Sequence, residues 1–280
     1  MDKKLVDLFI KNAIAEDVGD GDHTSLSTIP KNTQGKAKLI VKEDGILAGV
    51  ELALEIFNQI DANLKVNVSI TDGASVKYGD IAFTVEGSTH SILLAERLVL
   101  NCMQRMSGIA TKTNRIVAAL KSYKTKVLDT RKTTPGLRYL EKWAVKIGGG
   151  VNHRIGLYDM ILIKDNHVDY AGGIANAITA ANDYLQETGK KLAIEIEVRN
   201  LEELKQVLEV GKVDRIMLDN FELPLLKQAV DLIDGKFTTE ASGGIVEENV
   251  TDYAECGVDF ISMGALTHSV KSLDLSLKAF

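Results

Sequence analysis

Three prolines in 280 residues, with no low-complexity stretch and no run of like charges, exclude long disordered linkers. There are only two cysteines, Cys102 and Cys256, far apart and in no metal-ligand pattern. They exclude a disulfide framework and imply a reducing, cytoplasmic setting. No apolar run approaches the ~18 residues that span a bilayer. No signal peptide is visible either, because Leu5, Leu8, Phe9 and Ala13 recur between charges from Met1 to Asp20, as in an amphipathic helix. Excess positive charge is also missing: the net charge of −6 counts against nucleic acid as a partner. What remains, 45% apolar and 26% charged, is an ordinary globular composition, long enough for one large α/β domain or two unequal ones.

The two halves differ in rhythm. Up to residue 110 the pattern is mixed. A polar loop at Asp17–Ser25 precedes strands at Gly35–Val41 and Gly45–Gly49. A helix at Val50–Ile60, strands at Val66–Ile70 and Ile81–Val85, and a long helix at Ser91–Leu120 follow, which predicts an α+β domain. Beyond residue 125, apolar runs at Val127–Leu128, Met160–Ile163, Leu192–Val198, Arg215–Leu218, Phe237–Glu240 and Val258–Ser262 alternate with helical segments such as Leu201–Val210 and Glu222–Ile233. The last four runs start about 22 residues apart, one βα unit each, so they predict a parallel sheet. Six strands are clear and a seventh is possible near Gly150–Val151, so an incomplete barrel competes with an open doubly wound sheet.

Polar residues follow every one of these strands. Asp129, Arg131 and Lys132 follow the first, and Lys164 and Asp165 the second. Glu195 and Glu197 lie on the third, and Asp219 and Asn220 end the fourth. Ser242, Gly243 and Gly244 follow the fifth, and Gly264 the sixth. One such residue is usually a helix cap. Six in succession, mixing bases, carboxylates and glycines, match the carboxyl-end rim where barrels build their sites. Glu195 and Glu197 alternate with aliphatics, so both carboxylates share one strand face and need cations, a metal or sugar hydroxyls. A structural salt bridge is the plainer reading for Glu195. Between Arg131 and His167, seven Lys/Arg stand against three acids, a net of +4 in a chain of −6, which leaves −10 elsewhere. That basic focus suits an anionic substrate, although Lys142 and Lys146 read as a solvated helix face.

Neither Gly19-Asp20-Gly21 nor Gly148-Gly149-Gly150 is a dinucleotide fingerprint, since strand, Gly-x-Gly-x-x-Gly and helix never come in order. Gly148 can be a C-cap, and the three together suggest backbone bent close to a ligand. Ser242-Gly243-Gly244, between a strand and a helix near Glu247, can offer N–H groups to a phosphate.

In order along the chain, Glu16–Asp20, Gln104–Thr111, Leu128-Asp129-Thr130-Arg131-Lys132 through Arg138, Gly148–Arg154, Ile161–His167, Glu195–Val198, Leu218–Phe221, Glu240–Ile245 and Ile261–Gly264 resemble the quinolinate phosphoribosyltransferase family. The resemblance covers nearly the whole chain. It implies an amino-terminal α+β open-faced sandwich (1–110), an incomplete α/β barrel of six or seven parallel strands (111–267), and a tail (268–280) that returns to the sandwich. It implies phosphoribosyl transfer from phosphoribosyl pyrophosphate to quinolinate, with loss of CO2, in NAD biosynthesis. It further implies a homodimer with shared active sites, able to assemble further. Arg131, His153, Arg154 and Lys164 look like its dicarboxylate set, joined by Arg105 from the partner, with Thr130 in the same substrate-binding motif. Lys132 resembles its pyrophosphate-side lysine. Glu197 and Asp219 look like the carboxylates that serve the ribose hydroxyls and Mg2+. Ser242, Gly243, Gly244, Met263 and Gly264 match its 5′-phosphate loops. Lys164, Glu197 and Asp219 are the implied catalytic residues.

The residue types suit that chemistry. A poorly nucleophilic ring nitrogen makes leaving-group departure the hard step, which cations on the pyrophosphate side and carboxylates near the ribose favour. Arg suits carboxylates through its fork, and Lys acts as a point charge. No Ser/His/Asp or Cys/His arrangement is visible. Leu98, Cys102, Arg105 and Ile109 form one helical stripe in which Arg105 either reaches a ligand or snorkels to solvent. A relative associated with molybdenum transport and a non-catalytic barrel that binds anionic metabolites are the rival readings.

Overall fold

The computed structural model describes residues 3–280, so the helix expected from Met1 is followed from Lys3 onward. Two compact units form. One holds residues through Asn114, Thr134–Gly149 and Ser269–Phe280, and the other holds Arg115–Thr133 and Gly150–His268.

In the first unit, α1 (Lys3–Val18) buries Val6 and Ile10. Leu5 and Leu8, expected on its inner face, are exposed. The stretch read as a loop contains α2 (His23–Thr28), because the Asp22 carboxylate accepts the Ser25 N–H at 3.1 Å and caps it. Then come β1 (Gln34–Val41), β2 (Gly45–Ile46), α3 (Val50–Ile60), β3 (Lys65–Val68), β4 (Ser75–Val76), β5 (Ile81–Ser88) and the long α4 (Thr89–Ala119). β2 keeps only two residues of the strand expected at Gly45–Gly49. A terminal strand, Leu275–Ala279, pairs antiparallel with β1, and β1 with β5, and β5 with β3. In β1, Ala37, Leu39 and Val41 are buried while Lys36 and Lys38 are not, so one sheet face is covered and the other is open. Phe57 of α3 meets Phe83 of β5 edge-on, with ring centroids 5.8 Å apart.

Helix α5 (Arg138–Ile147) groups with this unit, although the sequence reading counts it with the barrel. Packing against α4 is the reason. A Cβ on Gly148 would lie 2.5 Å from the Ala110 carbonyl and 2.7 Å from Thr113 Cβ. Gly148 does cap α5, with φ −71°, so close approach rather than a left-handed backbone demands glycine there. At Gly148 the approach is to α4.

The second unit carries β6 (Lys126–Leu128), β7 (Ile161–Ile163), β8 (Ile194–Val198), β9 (Arg215–Asp219), β10 (Thr238–Ser242) and β11 (Phe260–Ser262), all paired in parallel. Helices α6 (Asp165–Ala171), α7 (Ile174–Thr188), α8 (Leu201–Val210), α9 (Leu223–Ile233), α10 (Val250–Glu255) and α11 (Ala265–His268) connect or follow them. The sheet order β6-β11-β10-β9-β8-β7 decides between the two competing arrangements. The first strand pairs with the last, which a doubly wound sheet never does. The seventh strand shrinks to one parallel bridge, Val151 to Leu128, on the other edge of β6. No ladder joins it to β7, so this is an incomplete α/β barrel of six strands and a bridge. Among the described residues no helix is long and apolar enough to cross a membrane.

Candidate active site

Asp129, at the end of β6, is fully buried. Its carboxylate accepts the His153 N–H at 2.9 Å and the Asn152 side-chain amide, which pins the turn that presents His153 and Arg154. The Arg154 N–H in turn donates to His153 Nδ1 at 2.7 Å. The other ring nitrogen, Nε2, lies 2.9 Å from Glu195 Oε2. Both nitrogens of His153 thus face groups of the protein itself. The Arg154 side chain is 8% exposed and donates from Nη1 to the Met160 carbonyl at 3.2 Å. Burial lowers its proton affinity and the like charge of Arg131 lowers it further, while Glu195 and Asp159 oppose both. Two guanidinium groups are therefore held close enough to repel each other.

Under these cations lies a buried acid pair. Glu195 of β8 and Glu240 of β10 are both 0% exposed. Arg215 donates to Glu240 Oε2 at 2.9 Å, and His153 Nε2 lies 3.6 Å from the same oxygen. His153, Glu195 and Glu240 could converge on a metal ion. Charge balance argues otherwise: Arg215 already offsets one of the two acids, so a divalent cation would leave the group positive. Burial, then the charge of Glu195, pushes the Glu240 carboxyl up to about 7, against the opposing pull of His153, Ser262 and Arg215. Burial also raises Glu195.

A pH dependence follows. The folded protein retains a proton that the unfolded chain releases above the ordinary value of 4.5, so stability is lost as pH rises through about 7. Glu240→Gln, which mimics the protonated acid, is expected to lessen this slope in urea unfolding between pH 5 and pH 8. An unchanged slope in the variant would place the proton elsewhere.

Nearer the rim, Glu197 of β8 is 9% exposed and lies 3.6 Å from Lys164 Nζ, which ends β7. Burial raises its carboxyl. Lys164 lowers it, while Asp219 and Asp165 raise it again. Lys164 is oriented through its backbone N–H, which donates to His167 Nδ1 at 2.9 Å. The ends of β9 and β10 are locked together: the Asn220 N–H donates to the Ser242 carbonyl at 2.8 Å. Gly243, at φ +96°, leaves room that a Cβ would contest at 2.1 Å from Asn220 Oδ1. Asp219 and the Ser242–Gly244 loop are thereby set side by side. The helix expected near Glu247 begins only at Val250 and has six residues, so loop backbone, not a helix end, faces any phosphate there. Gly264 lies against the Lys132 side chain, and the Thr267 hydroxyl donates to the Lys132 carbonyl at 2.8 Å. Thr130 Oγ1 accepts the Lys132 N–H at 3.0 Å. Met263 contributes least: its side chain is buried and its N–H donates to the Leu128 carbonyl.

Arg105 lies in the first unit. Its Nε and Nη2 donate to Glu141 Oε1 at 3.1 and 2.8 Å, so it is held rather than left to snorkel. Lys142, expected on a solvated face, is buried at 1% exposure, and only Lys146 is exposed. Glu141, Arg215 and Glu240 drew no site role from the sequence, and Asp129 was named at the rim without one. For two of them a signal existed. The alternation that pairs Glu195 with Glu197 also puts Arg215 on the face of Asp219, and Glu240 on that of Ser242.

Residues 22–107 match the N-terminal domain, and residues 109–278 the C-terminal domain, of the quinolinate phosphoribosyl transferase family. The chain is 50% identical to the chloroplastic nicotinate-nucleotide pyrophosphorylase [carboxylating] of Arabidopsis thaliana, over 96% of this chain and 81% of that protein. It is 42% identical to the probable nicotinate-nucleotide pyrophosphorylase [carboxylating] of Bacillus subtilis, over 98% and 92%. The solved nicotinate-nucleotide pyrophosphorylase of Francisella tularensis superposes with a TM-score of 0.93 at 41% identity, covering 100% of this chain and 98% of that one.

Proposed function

The chain belongs to the quinolinate phosphoribosyltransferase family, and from that premise we propose what each group at the barrel rim does. The protein is a carboxylating nicotinate-nucleotide pyrophosphorylase. It transfers phosphoribosyl from phosphoribosyl pyrophosphate to quinolinate, giving nicotinate mononucleotide, pyrophosphate and CO2, in de novo NAD biosynthesis.

The observation that carries the site assignment is the buried Arg154 held within repelling range of Arg131. Arg131, Arg154 and Lys164 receive the two carboxylates, and His153 acts through Arg154, whose N–H it accepts. Lys132, beside Gly264, faces the pyrophosphate. Thr130 steadies it, and the loops at Ser242–Gly244 and Gly264 take the 5′-phosphate with backbone N–H groups. Met263 shapes the second loop from within.

As the C1–pyrophosphate bond breaks and the ring nitrogen bonds to C1, positive charge grows on the ribose. Glu197 and Asp219 lie where carboxylates would oppose that charge. The C2–carboxylate bond then breaks, CO2 leaves with the electron pair remaining on C2, and a proton replaces it. The ammonium of Lys164 stabilises that carbanion. Glu197 and Asp219 are hard oxygen donors that would hold Mg2+ together with the pyrophosphate oxygens. When bound, Mg2+ supplies positive charge to the departing pyrophosphate. We also propose a homodimer in which Arg105 serves the partner's barrel, and a cytoplasmic setting in keeping with two free, buried cysteines.

With quinolinate labelled at its 2-carboxylate, one labelled CO2 is expected per pyrophosphate released. Pyrophosphate without labelled CO2 would mean hydrolysis or a different acceptor.

A further inference from the structure

Glu141 is 1% exposed and sits on the inner side of α5. Its two oxygens take four donors. Oε1 accepts from Arg105 Nε at 3.1 Å, Arg105 Nη2 at 2.8 Å and the Thr134 hydroxyl at 2.8 Å, and Oε2 accepts the Thr134 N–H at 3.0 Å. The remaining nitrogen of the arginine, Nη1, donates to the Val270 carbonyl at 3.3 Å.

A buried carboxylate facing one guanidinium at this geometry does more than fill space. Arginine has many rotamers, and ordering it when a ligand arrives weakens binding. Here two anchors fix the fork before any ligand arrives. The side chain nevertheless stays 26% exposed and lines a cleft of about 390 Å3 with Arg97, Asn101 and Cys102. An arginine meant only to neutralise Glu141 would not need to face a cleft. One meant to receive an anion needs both a fixed fork and an open side.

We infer that Glu141 is a positioning residue of the reaction, acting through Arg105 by holding its guanidinium in the orientation that receives a substrate carboxylate. This rests on the reading that Arg105 meets quinolinate, and the test separates the two.

Glu141→Gln isolates the point. The amide can still accept the Thr134 N–H and donate to the Thr134 hydroxyl, but it cannot receive the charged fork. The KM values for quinolinate and for phosphoribosyl pyrophosphate are measured in Arg105→Ala, Glu141→Gln and the double variant. Arg105→Ala should raise the quinolinate KM by at least ~20-fold and Glu141→Gln by ~10-fold, with the other KM moved less than ~2-fold. The double variant should match Arg105→Ala alone, because Glu141 has nothing left to act through.

Multiplied effects in the double variant, or both KM values rising together in Glu141→Gln, would overturn the inference while leaving the Arg105 reading intact. An unchanged KM in Arg105→Ala would overturn both. If Glu141→Gln does not fold, Glu141→Asp keeps the charge but draws it back by one methylene. It should show the same split and the same non-additivity, and multiplied effects would overturn the inference there as well.

Discussion

Arg105→Ala and Lys164→Ala, each strongly impaired alone at quinolinate concentrations far below its raised KM, are expected to recover about a quarter of wild-type activity when unfolded together and refolded. In a dimer with shared sites, each site combines Lys164 of one protomer with Arg105 of the other. A mixed dimer then has one site with both defects and one with neither. Random pairing makes roughly half the dimers mixed, and half the sites in those are whole. The choice of residues rests on where they lie. Arg105 is clamped in the first unit by Glu141 and Val270, whereas Lys164 ends β7 in the second, 3.6 Å from Glu197. If Arg105 served its own chain, every site in the mixture would keep one defect. Mixed dimers verified by mass but without recovered activity would remove the shared site.

The second large effect concerns Glu197. Glu197→Gln preserves shape and removes one negative charge from a nearly closed position. Charge there matters most when the ribose turns cationic, so kcat should fall by roughly 10²–10³, or about 3–4 kcal/mol of transition-state stabilisation. Quinolinate binding should change little, and in the direction of tightening, because Lys164 loses its carboxylate partner and keeps its charge. Calorimetry beside steady-state kinetics separates the two. Lost quinolinate binding at an unchanged kcat would make Glu197 a binding residue instead.

Much of this was legible before the fold was known. The 22-residue spacing located β8 to β11 within two or three residues, because each βα unit repeats one local pattern. The alternation in β8 correctly placed Glu195 and Glu197 on one face, and Glu195 is buried beside His153 rather than bridged to a lysine or arginine. What stayed hidden depends on distant chain. Closure of the sheet rests on β6 meeting β11, more than 130 residues later. Glu141 joins Arg105 across 36 positions, and Lys142 is buried by tertiary packing that no helical period announces. The face of α1 was misjudged for a similar reason, since Val6 and Ile10 satisfy the same helical spacing as Leu5 and Leu8. α2 was missed because a run of polar residues reads as loop until one of them, Asp22, is seen to cap it.

Acceptor choice tests the central claim, that paired cations at the barrel rim select a dicarboxylate. Arg131, Arg154 and Lys164 supply more positive charge than one carboxylate can satisfy, and Arg154 is too buried for water to compensate. The measurement is kcat/KM for pyrophosphate release from phosphoribosyl pyrophosphate, with quinolinate and then with nicotinate, at one pH and Mg2+ concentration. A site built to pair both carboxylates should favour quinolinate by roughly 10³ or more, as sites that bury polar groups reject analogues lacking their partners. Comparable values for the two acids would contradict the account, because the rim would then be reading only the carboxylate the two acids share.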